Sequence, residues 1–195
     1  MDVDERVSAG LAREITEAIY DPNFDGYRYK RLNYFMHRPM KGGGWQDWNL
    51  VHLARRQKFH FRGMFHEECV LDAPSSRIGQ LTHKMLHLNE DSLEKRFRKS
   101  ATYSSEITKR IRARNRPVSC LDISGRPLVE FIRKYFLKRG FIDGVPGLIS
   151  AAHSATAIFR ANALIWEEQN QISRAALEKE LREQNEIDHI RSIDQ

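Results

Sequence analysis

At 195 residues, with 41% hydrophobic and 30% charged side chains, the chain has the make-up of one folded domain, or one domain with an appendage, and not of a disordered polymer. The net charge of +6 is unevenly spread: residues 95–139 hold fourteen Lys or Arg against three acids, while from Glu167 onward eight acids face four bases. A basic block this dense usually faces phosphate, on nucleic acid, anionic lipid or a substrate, and two distant cysteines, Cys69 and Cys120, in no C-x-x-C pattern exclude a disulfide framework or a zinc module.

In chain order, Ser8 can N-cap a helix over AGLAREITEAIY, with Leu11, Ile15, Ala18 and Ile19 on one face, and Asp21-Pro22-Asn23 stops it. YRYKRLNYFMHRPM reads as extended and aromatic-rich, and KGGGW as a glycine hinge ending on a tryptophan. WNLVHLA and KFHFRGMFH read as two short strands around a basic turn; Ser76–Leu88 is ambiguous. From Ser92 the spacing turns helical through Ile107, and a loop follows at RNRPVS. A second helix is expected from about Pro127, with Leu128, Phe131, Ile132, Tyr135 and Phe136 on one face and Arg133, Lys134, Lys138 and Arg139 off it. Gly140 breaks it, GFIDGVPG reads as a turn, and LISAAHSATAIFRANALIWEE as a third, apolar helix before a polar helical tail. The plan is a mixed α/β part over 1–91, a basic amphipathic helical part over 92–166 and a tail over 167–195. The longest charge-free run, Gly144–Phe159, is too short to span a bilayer. The first twenty residues have no apolar stretch of the secretory kind.

Several short motifs are weak one at a time. The glycines at 42–44 are not followed by G-K-[ST], so they make no P-loop. His83 and His87 are four residues apart in HKMLH, without the Glu of H-E-x-x-H. FHEE sets His66 beside Glu67 and Glu68, and Asp2 and Asp4 form a D-x-D ahead of the first helix.

Taken in order, these pieces resemble the second half of a family-2 glycosyltransferase of the GT-A type. The nearest kind is the bacterial enzymes that add a hexose to the lipopolysaccharide inner core. MDVDERVSAGLAREI resembles the D-x-D-E-R-V segment at the end of a central strand, and RLNYFMHRPMKGGGW the R-x-N-Y-F-x-G-R segment that ends in G-W. FHEE resembles the V-H-E element, MLHLNEDSLEKRF the L-L-H segment, and FLKRGFIDGVPGLISAAHSATAIFRANALIW the R-x-G-F-x-D-G-x-x-G-L segment with its terminal helix. The likeness covers Asp2 to about Trp166.

The resemblance implies a partial GT-A fold, α/β, followed by a helical C-terminal extension. It implies inverting transfer of a sugar from a nucleotide-diphosphate donor to a glycan or lipid-linked glycan acceptor of the cell envelope. It carries Asp2 and Asp4 over as ligands of a divalent cation, Mg²⁺ or Mn²⁺. It makes Glu67 the general base, with Glu68 as the alternative and His66 orienting it or contacting phosphate. His87 falls to the metal or the diphosphate, and Trp45 to the sugar or acceptor pocket. The family has Asp a few residues after that Trp and then Arg-Leu; here Asp47 comes one position early and His52 stands where the Arg would be. The family's first βαβ units would precede Asp2, so the chain is expected to be a truncated, impaired part that needs a missing N-terminal half or a partner chain. The expected location is cytoplasmic, peripheral on the inner face of the bacterial cytoplasmic membrane, with no nucleic acid bound. The alternative is a non-catalytic basic module that binds anionic membrane or nucleic acid.

Overall fold

A computed structural model of the protein describes the backbone of residues 3–62, 68–89 and 92–193, with the side chains of all these except 61–62, 68–69, 101–106 and 185–193. The fold is mixed α/β, 56% helical and 19% strand, around a curled mixed sheet. In order, the elements are β1 (Glu5–Val7), α1 (Ala9–Ala18), β2 (Gly26–Phe35), β3 (Arg38–Pro39), β4 (Asn49–Ala54), β5 (Phe59–Arg62), β6 (Glu68–Leu71), β7 (Ile78–Gln80) and β8 (Met85–His87). The helices α2 (Leu93–Arg112), α3 (Cys120–Ile132), α4 (Gly144–Asn170) and α5 (Arg174–Ile193) follow.

Strand β2 is the spine of the sheet. Its first residues lie between antiparallel β4 and parallel β7, and its later ones pair with parallel β8 and antiparallel β3. Strand β1 runs antiparallel to β8. Tyr27, Tyr29, Asn33 and Phe35 of β2 are buried, while Arg28 and Lys30 between them are exposed, the period-2 alternation of a strand with one face on a core. That core joins Tyr27, Tyr29, Leu81 and Met85 to Leu11 of α1, with Ile15 and Ala18 against it. The Ser8 hydroxyl caps α1 by accepting from Leu11 N–H. Ile19, expected on the inner face, is 50% exposed because α1 ends before it.

The helical part has its own core of Ile111, Val118, Ala161 and Ile165, where α2 and α3 pack on α4. Helix α3 begins at Cys120 and not near Pro127, which lies inside it. The reason is a capping box: Ser119 and Asp122 satisfy each other's backbone N–H groups, and the guanidinium groups of Arg116 and Arg126 both reach Asp122. A start this well satisfied sets the helix and tolerates the one hydrogen bond Pro127 removes. Past Ile132 the helix widens into a π-helical turn, Arg133–Leu137. GFIDGVPG is only half a turn: Gly140–Asp143 form one 3-10 turn, and α4 starts at Gly144. Gly147 is required there, since a Cβ would strike the Gly140 carbonyl. Helix α4 runs past Trp166 to Asn170 before the break that precedes α5.

The segment that the resemblance places at the end of a central strand sits differently. Asp4 lies in a turn before β1, and β1 is the end strand of the sheet path. The short β1 reaches only β8 because β8 itself takes the position beside the spine.

Candidate functional site

The pairing of β8 creates the site. Its His87 lies opposite Glu5 of β1 on one side and opposite Asn33 of β2 on the other, and Leu88 N–H donates to the Asp4 carbonyl. Three residues far apart in sequence are thus aligned across three strands. Asn33 donates through Nδ2 to the Trp45 carbonyl, 3.1 Å away, and its Oδ1 lies 2.7 Å from His87 Nδ1. His87 Nε2 lies 3.2 Å from an Asp4 carboxylate oxygen.

This chain fixes the imidazole. A carbonyl only accepts, so the Asn33 NH₂ must face Trp45 and its oxygen must face His87. His87 Nδ1 then donates, and Nε2 faces the Asp4 carboxylate. A proton on Nε2 closes this contact as an ion pair, and a cation between the two would close it as a shared ligand. A histidine whose far nitrogen donates to a fixed acceptor is the usual arrangement of a metal ligand.

The glycine loop forms the other wall. Gly43 and Gly44 have φ of +66° and +89°, a left-handed backbone that glycine adopts without strain. The loop is tied to the turn between α3 and α4: Lys41 and Gly42 N–H each donate to the Asp143 carboxylate at 2.8 Å, and Gly43 N–H donates to the Lys138 carbonyl. Trp45 stacks on Phe35 and donates from Nε1 to Ser150 Oγ on α4 at 3.0 Å. Asp47 is held by the Lys138 ammonium at 2.7 Å. Between loop, sheet edge and helices lies an open cavity of about 480 Å³ bordered by Asn33, Trp45, Asp47, Trp48, His87 and the cations Arg96, Arg133 and Lys134.

The cavity is electropositive and aromatic. Arg96 lies 5.0 Å over both the Phe35 and Trp45 rings, and Arg31 lies 4.0 Å over Trp48, so both guanidinium groups make cation–π contacts. Burial holds the Lys134 ammonium below the ordinary lysine range, and its Nζ donates to Ser154 Oγ at 2.8 Å. Indole faces beside fixed cations suit a ligand with an apolar ring face and phosphate.

Of the residues expected from sequence, Asp4, Trp45, Asp47 and His87 come together here. His52 is not among the residues that border the cavity: it is exposed on β4, its ring centroid 4.9 Å from that of Trp48. Asp2, His66 and Glu67 lie outside the described residues, and Glu68 is described only as backbone in β6. Asn33, Trp48, Arg96 and Lys134 are site residues that sequence reasoning did not single out. Asn33 carried a signal in the R-x-N-Y-F segment, and the cations were visible only as members of a basic block. Much of that block is neutralised internally: Arg112 pairs with Glu168, Arg116 and Arg126 with Asp122, and Arg133 with Glu130.

For a divalent cation, the described donors are one carboxylate, Asp4, and one imidazole, His87. Among the described residues no group of three or more His, Cys, Asp or Glu side chains is placed to hold a metal. Two side-chain donors are too few to hold such a cation by themselves, and one bound here would take its remaining oxygen ligands from elsewhere. No described helix is long and apolar enough to cross a membrane. Compared with known proteins, the chain matches no family model, and no solved structure matches it.

Proposed function

We propose that this chain is the acceptor-side part of an inverting family-2 glycosyltransferase of the GT-A type. It moves a hexose from a nucleotide-diphosphate sugar to a phosphorylated or lipid-linked glycan of the kind found in the lipopolysaccharide core. The observation that carries the reading is the Asn33–His87–Asp4 chain, which sets an imidazole nitrogen 3.2 Å from a carboxylate on the edge of an aromatic, cationic cavity. Ordered sequence motifs support it as well.

In this reading Asp4 and His87, with Asp2 by resemblance, hold a Mg²⁺ or Mn²⁺, which neutralises the departing diphosphate. Trp45 and Trp48 offer flat apolar faces to a sugar ring, and Arg96, Arg133 and Lys134 hold phosphate. Asp47, fixed by Lys138, accepts hydrogen bonds from sugar hydroxyls. By resemblance Glu67, or Glu68 beside it, takes the proton of the acceptor hydroxyl as its oxygen bonds to the anomeric carbon. The bond from that carbon to the diphosphate oxygen breaks, and the diphosphate leaves with the electron pair. A positioned base of this kind contributes roughly 10²–10⁴ in rate.

The test is Mn²⁺ titration of the chain followed by NMR of its histidine rings, repeated with UDP- and GDP-hexoses. The His87 signals should broaden before those of His60 and His83, and a nucleotide-sugar should strengthen the effect. Broadening that spares His87, or that survives Asp4→Asn, rejects the reading.

A further inference from the structure

The helical hairpin wears much of its apolar surface on the outside. On α3 and the π-helical turn, Leu121, Leu128, Ile132 and Phe136 recur at helical spacing, and all four are exposed, Leu121 by 77%. At 3.6 residues per turn they fall within an arc of roughly 80°. The stripe runs into the tip of the hairpin, where Leu137 is 74% exposed, Val145 67% and Phe141 48%. Tyr135 touches the rings of both Phe136 and Phe141, so the tip is one cluster and not scattered side chains. The other side of α3 packs on α4, with Ile123 against the helical core. An apolar face of this extent marks a surface for binding.

Its charge decides what it binds. Between residues 126 and 139 five cations (Arg126, Arg133, Lys134, Lys138, Arg139) are interleaved with the apolar positions; Asp122, Glu130 and Asp47 each pair with one of them, and the balance of the segment stays positive. Asp143, just past the tip, already accepts the Lys41 and Gly42 N–H groups. Beside the arc, and sharing Leu121 with it, lies a groove of about 610 Å³ between α2, α3 and α4, with Arg126 and Arg133 as well as Asp122 and Glu130 on its border. Apolar side chains set among basic ones, on an element that does not cross the bilayer, suit the headgroup–acyl boundary of an anionic membrane. We propose that the outer face of α3 and the hairpin tip dock on an anionic bilayer, with Leu137 and Phe141 among the acyl chains and Arg139 and Lys138 at the phosphates. Arg133 and Lys134 belong to both this segment and the cavity, so docking brings the cavity to the headgroup plane. The proposal goes beyond the transfer reaction and does not depend on it.

Vesicle flotation tests it on the whole chain, with phosphatidylcholine alone and with an equimolar mixture of phosphatidylcholine and phosphatidylglycerol. Binding is expected to the mixed vesicles only and to weaken with salt, each engaged basic residue being worth roughly fivefold. The pair Leu137→Ser and Phe141→Ser should cut partitioning by about tenfold or more while circular dichroism and the Mn²⁺ effect on His87 stay unchanged. No flotation at low salt overturns the proposal, as does flotation that the pair leaves intact. A concentration-dependent dimer in sedimentation velocity, dispersed by the same pair and without flotation, assigns the face to a second copy and overturns it too.

Discussion

The sheet and the helical hairpin are each closed by a carboxylate that arginine saturates. In the sheet, Asp25 accepts from both Nε and Nη2 of Arg77, and Arg55 lies 3.9 Å away. In the helices, Asp122 accepts from Arg116, Arg126 and the Ser119 backbone and hydroxyl. At the seam between the two regions the pattern changes. Asp4 is partly exposed and faces a single imidazole nitrogen, His87 Nε2. A carboxylate surrounded by donors is finished and serves architecture. A carboxylate with one such partner keeps room for another.

Acid breaks the architectural side most severely. Burial alone would raise Glu14, but backbone N–H groups of Thr82 and His83, with their side chains, win and bring it down to about 2. Arg116 first, then the Ser119 donors, hold Asp122 well below the carboxylate range, and the Arg77 hydrogen bond lowers Asp25. A depressed folded value gives stability that is complete above the unfolded value, about 4, and is lost as pH falls toward the folded one. Urea melts should therefore be flat from neutrality to about pH 5 and fall steeply below about pH 4. Stability that stays level to pH 2 would rule this out.

A single substitution at the helical anchor comes next. Asp122→Ala removes the capping box and leaves Arg116 and Arg126 without their shared partner. The expected loss is about 2–3 kcal/mol, measured by denaturant unfolding. A loss below the cost of a helix cap alone would show that the arginines add nothing.

At the seam the order of effects reverses, with small stability changes and large binding changes. Asn33→Leu keeps the branched shape but releases the His87 ring, and should weaken Mn²⁺ binding by roughly 10–100-fold. Asn33→Asp restores an acceptor toward His87 and should recover part of it. The smallest expected stability effect is Asp4→Asn, within about 0.5 kcal/mol of the parent, although it removes the Mn²⁺ effect on His87. A large destabilisation there would move Asp4 into the class of Asp25 and Asp122.

The strand part was readable because β2 alternates and α1 carries its own cap, both local signals. His87 and Trp45 were legible through motifs. The start of α3 was not, because Pro127 reads as the first helical position, while the capping box of Ser119 and Asp122, with Arg116 and Arg126 on the same carboxylate, starts the helix at Cys120. The ring contacts of His52 with Tyr29 and Trp48 were not legible, because spacing within a segment does not say what a side chain meets across the sheet. Arg96 and Lys134 were hidden in a basic block whose members differ only in their tertiary partners: Arg112 meets Glu168 from the acidic tail, and Lys134 meets Ser154.

The ties that hold the glycine loop to the hairpin also set an order of assembly. The bonds from Lys41 and Gly42 to Asp143 span 102 and 101 positions, and the one from Trp45 to Ser150 spans 105. The Arg116–Asp122 contact spans only 6, and Ser8 caps a residue three positions away. Closing long loops is the slow part of folding, because chain entropy is lost before the contact repays it. The cavity is therefore the last thing the chain builds: in stopped-flow refolding, far-ultraviolet ellipticity should recover ahead of the Trp45 fluorescence, read with Trp48 and Trp166 replaced by Phe.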